Sequence, residues 1–304
     1  MKKAVVFGGA GFLGSHVADA LTKAGYDVTI FDLSQSPYLQ PSQKMVIGNI
    51  MDLEAVKNAV SGADVVYNFA GIADIYEAND RPLETVKINV LGNTHVLEAC
   101  RLCNVSRFVF ASSVYVYSEA GSFYRSSKQA CELIIENYYQ QYGLPYTILR
   151  YGSLYGPRSD ERNWIYSILK QAITEGKITR DGDGDELREY IHVEDAARCS
   201  VDILSEEFKN EYVILTGNQQ IKVRDLMVMI REILGNKIEL EFLPSTSRLN
   251  YKITPYSFSP KIAKKMVSNY YLDMGQGLLQ CLTDIYIKEH HYKEQNGILM
   301  EGNK

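Results

Sequence analysis

No stretch of the 304-residue sequence stays apolar over the length a bilayer requires, which excludes a membrane-spanning helix. The first apolar run is broken by Gly8, Gly9 and Gly11, so the N-terminus lacks the continuous core of a secretory signal and a cytoplasmic location is expected. Paired cysteine spacing is missing too. The one close pair among five scattered cysteines, Cys100 and Cys103, has no second pair or histidine nearby, so the cysteines read as buried thiols and no metal site is expected. Nor is there an excess of positive charge: a net charge of −5 argues against a general nucleic-acid binder, although a local basic patch could hold a phosphorylated small molecule. Internal repeats and low-complexity tracts are also absent.

What is present is alternation. Short β-rich runs at Lys3–Phe7, Asp27–Asp32, Lys44–Ile47, 64–69, 107–112 and 146–150 are separated by helical patterns near 12–24, Leu53–Val60, 82–103 and 124–142. Strands alternating with helices predict a parallel sheet, here an α/β fold with a Rossmann-type doubly wound sheet. After Arg150 the pattern loosens. Helices near 163–174, 193–204, 223–234 and 274–288, with strands near 212–215 and 238–242, predict a smaller C-terminal α/β lobe interleaved with the sheet. The expected division is a dinucleotide domain over 1–151, receiving segments from about 176–217, a substrate lobe mainly over 152–289, and a loose tail over 290–304.

The first turn carries a cofactor signal. Gly8 can turn the chain sharply, Gly11 lets backbone approach a pyrophosphate, and Gly14 lets the following helix pack closely on its strand. The free N–H groups of that helix, beginning near Phe12 and Leu13, face the phosphates. Asp32, ending the second strand, can accept hydrogen bonds from both ribose hydroxyls and would repel a 2′-phosphate, so NAD is expected over NADP. Asn49, Ile50 and Asp52 follow the third strand where an adenine would lie; Asp52 could equally be a helix N-cap.

A second constellation could do chemistry. Ser112 and Ser113 end the fifth strand, and Tyr124 and Lys128 lie four apart on the next helix, hence on one face. A neighbouring ammonium stabilises a phenolate, which makes Tyr124 a candidate base. With 22 tyrosines in the chain, the spacing alone is weak, but its place after a dinucleotide loop and a Ser-Ser strand end is what hydride transfer requires.

These motifs resemble the extended short-chain dehydrogenase/reductase family, in its nucleotide-sugar epimerase and dehydratase branch, over nearly the whole length. Gly8, Gly11 and Gly14 match its Gly-x-x-Gly-x-x-Gly loop; residues 68–71 resemble its fourth-strand motif; Asn89 looks like its buried Asn; residues 112–117 are similar to Ser-Ser-x-x-Val-Tyr. The resemblance implies Ser113, Tyr124 and Lys128 as catalytic residues. It also implies NAD contacts from Phe12, Leu13, Phe69, Ala70, Gly71, Asn89, Ser112, Tyr124, Lys128 and Tyr151 in addition to the loop, Asp32 and the 49–52 turn. Residues 150–158 and 182–195 resemble the family's substrate blocks, which implies a nucleotide diphosphate sugar held by Ser113, Ser153, Arg158, Asn163, Arg188 and Arg248. A homodimer through 82–103 and 124–142 is implied as well.

Two departures stand out. Ser153 occupies the position of the family's Asn, and residues 118–123 form a segment much shorter than in relatives, with Glu119 as its lone carboxylate and a solvated turn residue by default. The expected reaction is oxidation at a sugar carbon, C4 foremost, as a 4-epimerase, with a 4-dehydrogenase or 4,6-dehydratase as alternatives. A non-catalytic NAD-sensing scaffold is the alternative of another class.

Overall fold

The structure is a computed structural model, described here over residues 1–244, 264–266 and 271–295. In chain order the elements are β1 (Lys3–Phe7), α1 (Phe12–Lys23), β2 (Asp27–Asp32), β3 (Lys44–Ile47), α2 (Leu53–Val60), β4 (Val65–Asn68), α3 (Ile75–Asp80) and α4 (Pro82–Thr85). A π-helical segment, Val86–Gly92, then runs into α5 (Asn93–Leu102), β5 (Arg107–Ser113), a 3-10 turn (Val114–Tyr117), α6 (Ser122–Tyr142) and β6 (Tyr146–Tyr151). Beyond the sixth strand come β7 (Ser153–Tyr155), α7 (Trp164–Glu175), β8 (Lys177–Asp181), β9 (Leu187–His192), α8 (Val193–Asp202) and β10 (Glu211–Leu215). The last elements are β11 (Gln220–Lys222), α9 (Val223–Ile233), β12 (Glu239–Leu243), β13 (Lys264–Lys265) and α10 (Met274–Gln295).

The main sheet has the order β13-β10-β6-β5-β4-β1-β2-β3, and every pairing in it is parallel. Each of its central strands is apolar on both faces because helices cover both. Phe7, Val66, Phe108, Phe110 and Ile148 pack against α2, α5 and α6, whereas Ala4, Val6, Tyr67, Val109 and Leu149 pack against α1 and α8. Strand order reverses between β1 and β4, opening a crevice at the carboxyl ends of the strands. The lobe has its own core, in which Tyr155, Leu169, Ile178, Leu226, Ile230, Leu278 and Ile285 join α7, α9 and α10 to short strands.

Several expectations change. The segment over 82–103 is not one α-helix, because Val86–Gly92 widens into π geometry. Helix α3, capped by Asp74, stands where no helix was expected. Of the 176–217 segment only α8 and β10 join the main layers; β8 pairs with β12, and β9 with β7 and β11, in small separate sheets. The final helix runs past 289 to Gln295, so its last turn occupies the start of the expected tail.

One buried polar network fixes α6 on the sheet. Glu132 accepts from Ser112 Oγ at 2.6 Å and from Arg150 Nε and Nη2 at 3.0 and 2.7 Å, and Arg150 Nη1 donates to the Tyr117 hydroxyl. The guanidinium also lies over the Tyr212 ring, 4.3 Å from its centroid. Both charged side chains are buried, so each depends on the other. Glu132→Ala is expected to lower unfolding free energy by about 3–5 kcal/mol in a urea titration, because it strands a guanidinium away from water. A loss below about 1 kcal/mol would mean that water reaches Arg150.

Candidate active site

At the end of β1, Gly8 adopts φ +74, and a Cβ there would stand 2.6 Å from the Ala70 amide nitrogen. A Cβ on Gly14 would stand 2.2 Å from the Gly8 carbonyl oxygen, so these two glycines make the close contact between loop, helix and neighbouring strand. Gly11 differs. A Cβ there would meet only Gly8 O at 3.3 Å, and no side chain caps α1 at Gly11, so the first-turn amides of Phe12 and Leu13 are not used by a capping side chain. That is a fit for a pyrophosphate.

Asp32 ends β2 beside this loop, with Oδ2 accepting from Ala10 N at 2.9 Å and Oδ1 from Leu33 N at 2.7 Å. The carboxylate is therefore held at the loop's edge, where a ribose would reach it. The 49–52 turn is self-bonded. Asn49 Oδ1 accepts from Met51 N, Ile50 is buried, and Asp52 Oδ1 accepts from Glu54 N and Ala55 N as the N-cap of α2. Of the two roles open to Asp52, the cap is the one the structure displays.

The next strand end is built by two asparagines. Asn68 Oδ1 accepts from Ala70 N, and its amide donates to Asn93, fixing the turn that carries half-buried Phe69 and Ala70. Asn89, expected among cofactor contacts, is occupied otherwise: Oδ1 accepts from Ile72 N at 2.7 Å and Nδ2 donates to Ile72 O and Ser127 Oγ, both at 3.0 Å. From within the π-helical segment it brackets the β4 loop to α6. Gly71 is the close-approach position here, since a Cβ would stand 2.7 Å from Asn89 Oδ1.

The candidate catalytic residues gather at the end of β5, which is separated from β1 by β4 alone, about 10 Å across the sheet. Lys128 Nζ donates to Ala111 O at 2.7 Å and lies 4.8 Å from the Phe110 ring centroid and 5.8 Å from that of Tyr124. It is 7% exposed, and burial lowers its pKa, opposed by the acidic groups of Cys131 and Glu132. Cys131 is itself pushed up to about 12 by burial, so it stays a thiol. Tyr124 is half-buried and meets Tyr115 edge to face. Ser113 Oγ accepts from Tyr115 N at 3.3 Å, which leaves its own proton to donate to a bound oxygen. Ser112 points the opposite way, as successive strand residues must, and its hydroxyl donates to Glu132, which leaves its main chain for a cofactor.

Other expected contact residues also have partners within the chain. The Tyr151 hydroxyl is buried against Ser200 Oγ at 2.6 Å, so contact with a cofactor from this position falls to the main chain. Arg158 pairs with Asp19 at 2.7 Å and stacks on Tyr38, tying the lobe's entry to α1. Asn163 caps α7 through Tyr166 N and donates to Leu154 O, which uses both ends of its amide. Arg188 is buried in β9 and donates to Leu187 O, Ser153 is half-buried in β7 across from Tyr190, and Arg248 lies outside the described residues. Glu132 was not anticipated; the signal was its place in the series 124, 128, 132 on one helical face. Among the described residues no group of three or more His, Cys, Asp or Glu is placed to share a metal ion, and no helix is long and apolar enough to cross a membrane.

The model of the NAD dependent epimerase/dehydratase family matches residues 4–214. A putative UDP-glucose 4-epimerase of Methanocaldococcus jannaschii is 31% identical over 252 residues, covering 76% of this chain and 82% of that one. The UDP-N-acetyl-alpha-D-glucosaminuronate decarboxylase of Bacillus cytotoxicus is 26% identical, over 84% of this chain and 86% of its own. Among solved structures, the UDP-N-acetylglucosamine 4-epimerase from Methanobrevibacter ruminantium superposes with a TM-score of 0.81 at 25% identity, over 95% of this chain and 99% of that one. A family match across two thirds of the chain, falling on the loop and strand ends just described, leads to one conclusion: this chain belongs to the NAD-dependent epimerase/dehydratase family and is an enzyme that works with NAD.

Proposed function

We propose that this chain is a 4-epimerase of a nucleotide diphosphate sugar, with Tyr124 as its base. The observation that carries the reading is the buried Lys128, whose ammonium lies beside the Tyr124 ring while bonded to the last turnless stretch of β5. NAD, when bound, supplies the acceptor and later the donor of a hydride. Tyr124 takes the proton of the C4 hydroxyl as the carbon is oxidised, and Ser113 donates a hydrogen bond to the same oxygen. Lys128 stabilises the phenolate by charge. After the keto sugar has presented its other face, Tyr124 returns the proton to oxygen, so one group serves both halves of the reaction.

The name of the M. jannaschii relative supports C4 as the site and a UDP-sugar as the substrate class. The shape of the 118–121 segment supports epimerisation over dehydration. An elimination needs a further acid and base, and the one carboxylate between Ser112 and Tyr124, Glu119, is exposed to solvent. Incubation with UDP-glucose, UDP-N-acetylglucosamine and UDP-glucuronate, followed by chromatography and absorbance at 340 nm, is expected to yield a 4-epimer without net NADH. Stoichiometric keto sugar or NADH would replace the epimerase reading with a dehydratase or dehydrogenase.

Tyr124→Phe is expected to lower kcat by at least about a hundredfold while leaving NAD binding intact. Full activity in that variant would remove Tyr124 from the chemistry. Lys128→Met withdraws the cation that favours phenolate, so the acid limb of the kcat/KM profile should move to higher pH; an unmoved limb would separate Lys128 from proton transfer.

We further propose a homodimer through the α4–α5 region and α6. Leu83 is 86% exposed, and Val86, Leu91, Leu133 and Tyr142 are also exposed on these segments, an apolar surface suited to a second copy. Light scattering should give twice the 34.4 kDa chain mass, and Leu83→Lys with Leu133→Lys should give the monomer. A monomeric parent protein would end this reading.

A further inference from the structure

We propose that Tyr115 is a positioning residue for the reacting tyrosine, holding the Tyr124 ring by an edge-to-face contact. The proposal rests on the reading of Tyr124 as the base. Tyr115 is the second residue of the 3-10 turn after Ser113, and three parts of the site converge on it. Its amide donates to Ser113 Oγ at 3.3 Å. Its ring meets that of Tyr124 with centroids 6.2 Å apart and planes at 79°. Its Cδ1 also lies where a Cβ on Gly121 would come within 2.7 Å, and Gly121, at φ +96, is the residue from which α6 starts.

The need for such a residue follows from where Tyr124 sits. It is the third residue of α6, in the turn whose amides have no helical partner, whereas Lys128 is a turn further in and buried. The connection from Tyr117 to Ser122 has four residues and closes on itself: Ser118 N donates to Tyr115 O, Ala120 N to Ser118 Oγ, and Arg125 Nη1 to Ser118 O. Glu119 points to solvent. A segment folded this tightly has no length with which to lie over Tyr124, and the Tyr115 ring fills that place. It packs in the small cluster of Val114, Ile214, Tyr117 and Ala120, so its own orientation is set by the sheet end and by the turn together.

Edge-to-face packing favours one orientation of the Tyr124 ring, whose centroid lies 5.8 Å from Lys128 Nζ. Tyr115 thus acts through Tyr124, not on substrate. Its effect belongs in kcat and in the pH profile, not in KM.

The test compares Tyr115→Phe, which keeps the ring, with Tyr115→Leu, which keeps apolar bulk under the turn but loses edge-to-face geometry. Tyr115→Leu should lower kcat about three- to tenfold with KM for the sugar nucleotide changed less than about twofold, and should shift the acid limb of kcat/KM. Tyr115→Phe should restore at least half of kcat. A Tyr115→Leu protein whose melting temperature falls while kcat and the pH limb stay put would overturn the proposal, since Tyr115 would then be packing alone. Tyr124→Phe, assayed alongside, separates the two readings: full activity there sinks the base assignment itself, whereas an inactive Tyr124→Phe beside an unaffected Tyr115→Leu sinks only the role of Tyr115.

Discussion

The candidate site of this molecule depends on keeping the Lys128 ammonium largely away from water. Moving a lysine from water into the interior costs several kcal/mol unless the charge finds compensation. Here the Ala111 carbonyl accepts one of its donors, the faces of Phe110 and Tyr124 lie nearby, and Glu132 stands one helical turn away. The carbonyl is a rigid partner because β5 is hydrogen-bonded on both sides, to β4 and to β6. Lys128 can hold its position only if α6 does not slide, and the Ser112–Glu132–Arg150 network supplies that constraint on the same helix face. One buried cation thus requires a second, fully paired one beneath it.

A comparable constraint joins the cofactor helix to the lobe. His16 Nε2 bonds to Pro157 O at 3.0 Å, and Arg158, at φ +67, reaches Asp19 one turn further along α1 while stacking on Tyr38. Burial lowers the His16 pKa, which favours the neutral imidazole and spares it repulsion from the neighbouring Arg158. Helix α1 begins at the glycine loop, so the same helix that faces the phosphates anchors the residues by which the chain leaves the sheet for the lobe. The cofactor-loop helix and the start of the lobe are therefore set relative to each other by these side-chain contacts.

The sheet was legible because its signals are local. Each strand is a short apolar run, each crossover a 3.6-residue pattern, and Gly8, Gly14 and Asp32 stand where only close backbone approach and a strand end place them. The lobe was less legible, since β7, β8, β9 and β11 pair in small sheets apart from the main one, which periodicity does not encode. In the site, spacing exposed Tyr124 and Lys128 but could not say which polar residues would be consumed by the scaffold. Asn89, Ser112, Arg158 and Asn163 all lie in motifs associated with ligands, yet their hydrogen bonds go to Ile72, Glu132, Asp19 and Leu154. A buried polar group must find a partner, and the nearest one is decided by tertiary packing. The π-helical turn around Asn89 has no sequence signature of this kind.

On the proposed reading, the shortness of the 118–121 segment and the choice of epimerisation have one physical origin. An elimination must place an acid and a base around the sugar in addition to the oxidising pair, and a longer segment is one way to carry them. Epimerisation asks for less side-chain chemistry and more space: a single phenol that gives and takes the same proton, and room for a keto sugar to turn over. A four-residue connection, closed by its own hydrogen bonds and with its carboxylate in solvent, provides space but no further acid. The cost is that Tyr124 loses whatever cover a longer segment would give it at the open first turn of α6. An aromatic ring at position 115, wedged between Gly121 and Tyr124, replaces that cover without bringing a carboxylate to the sugar.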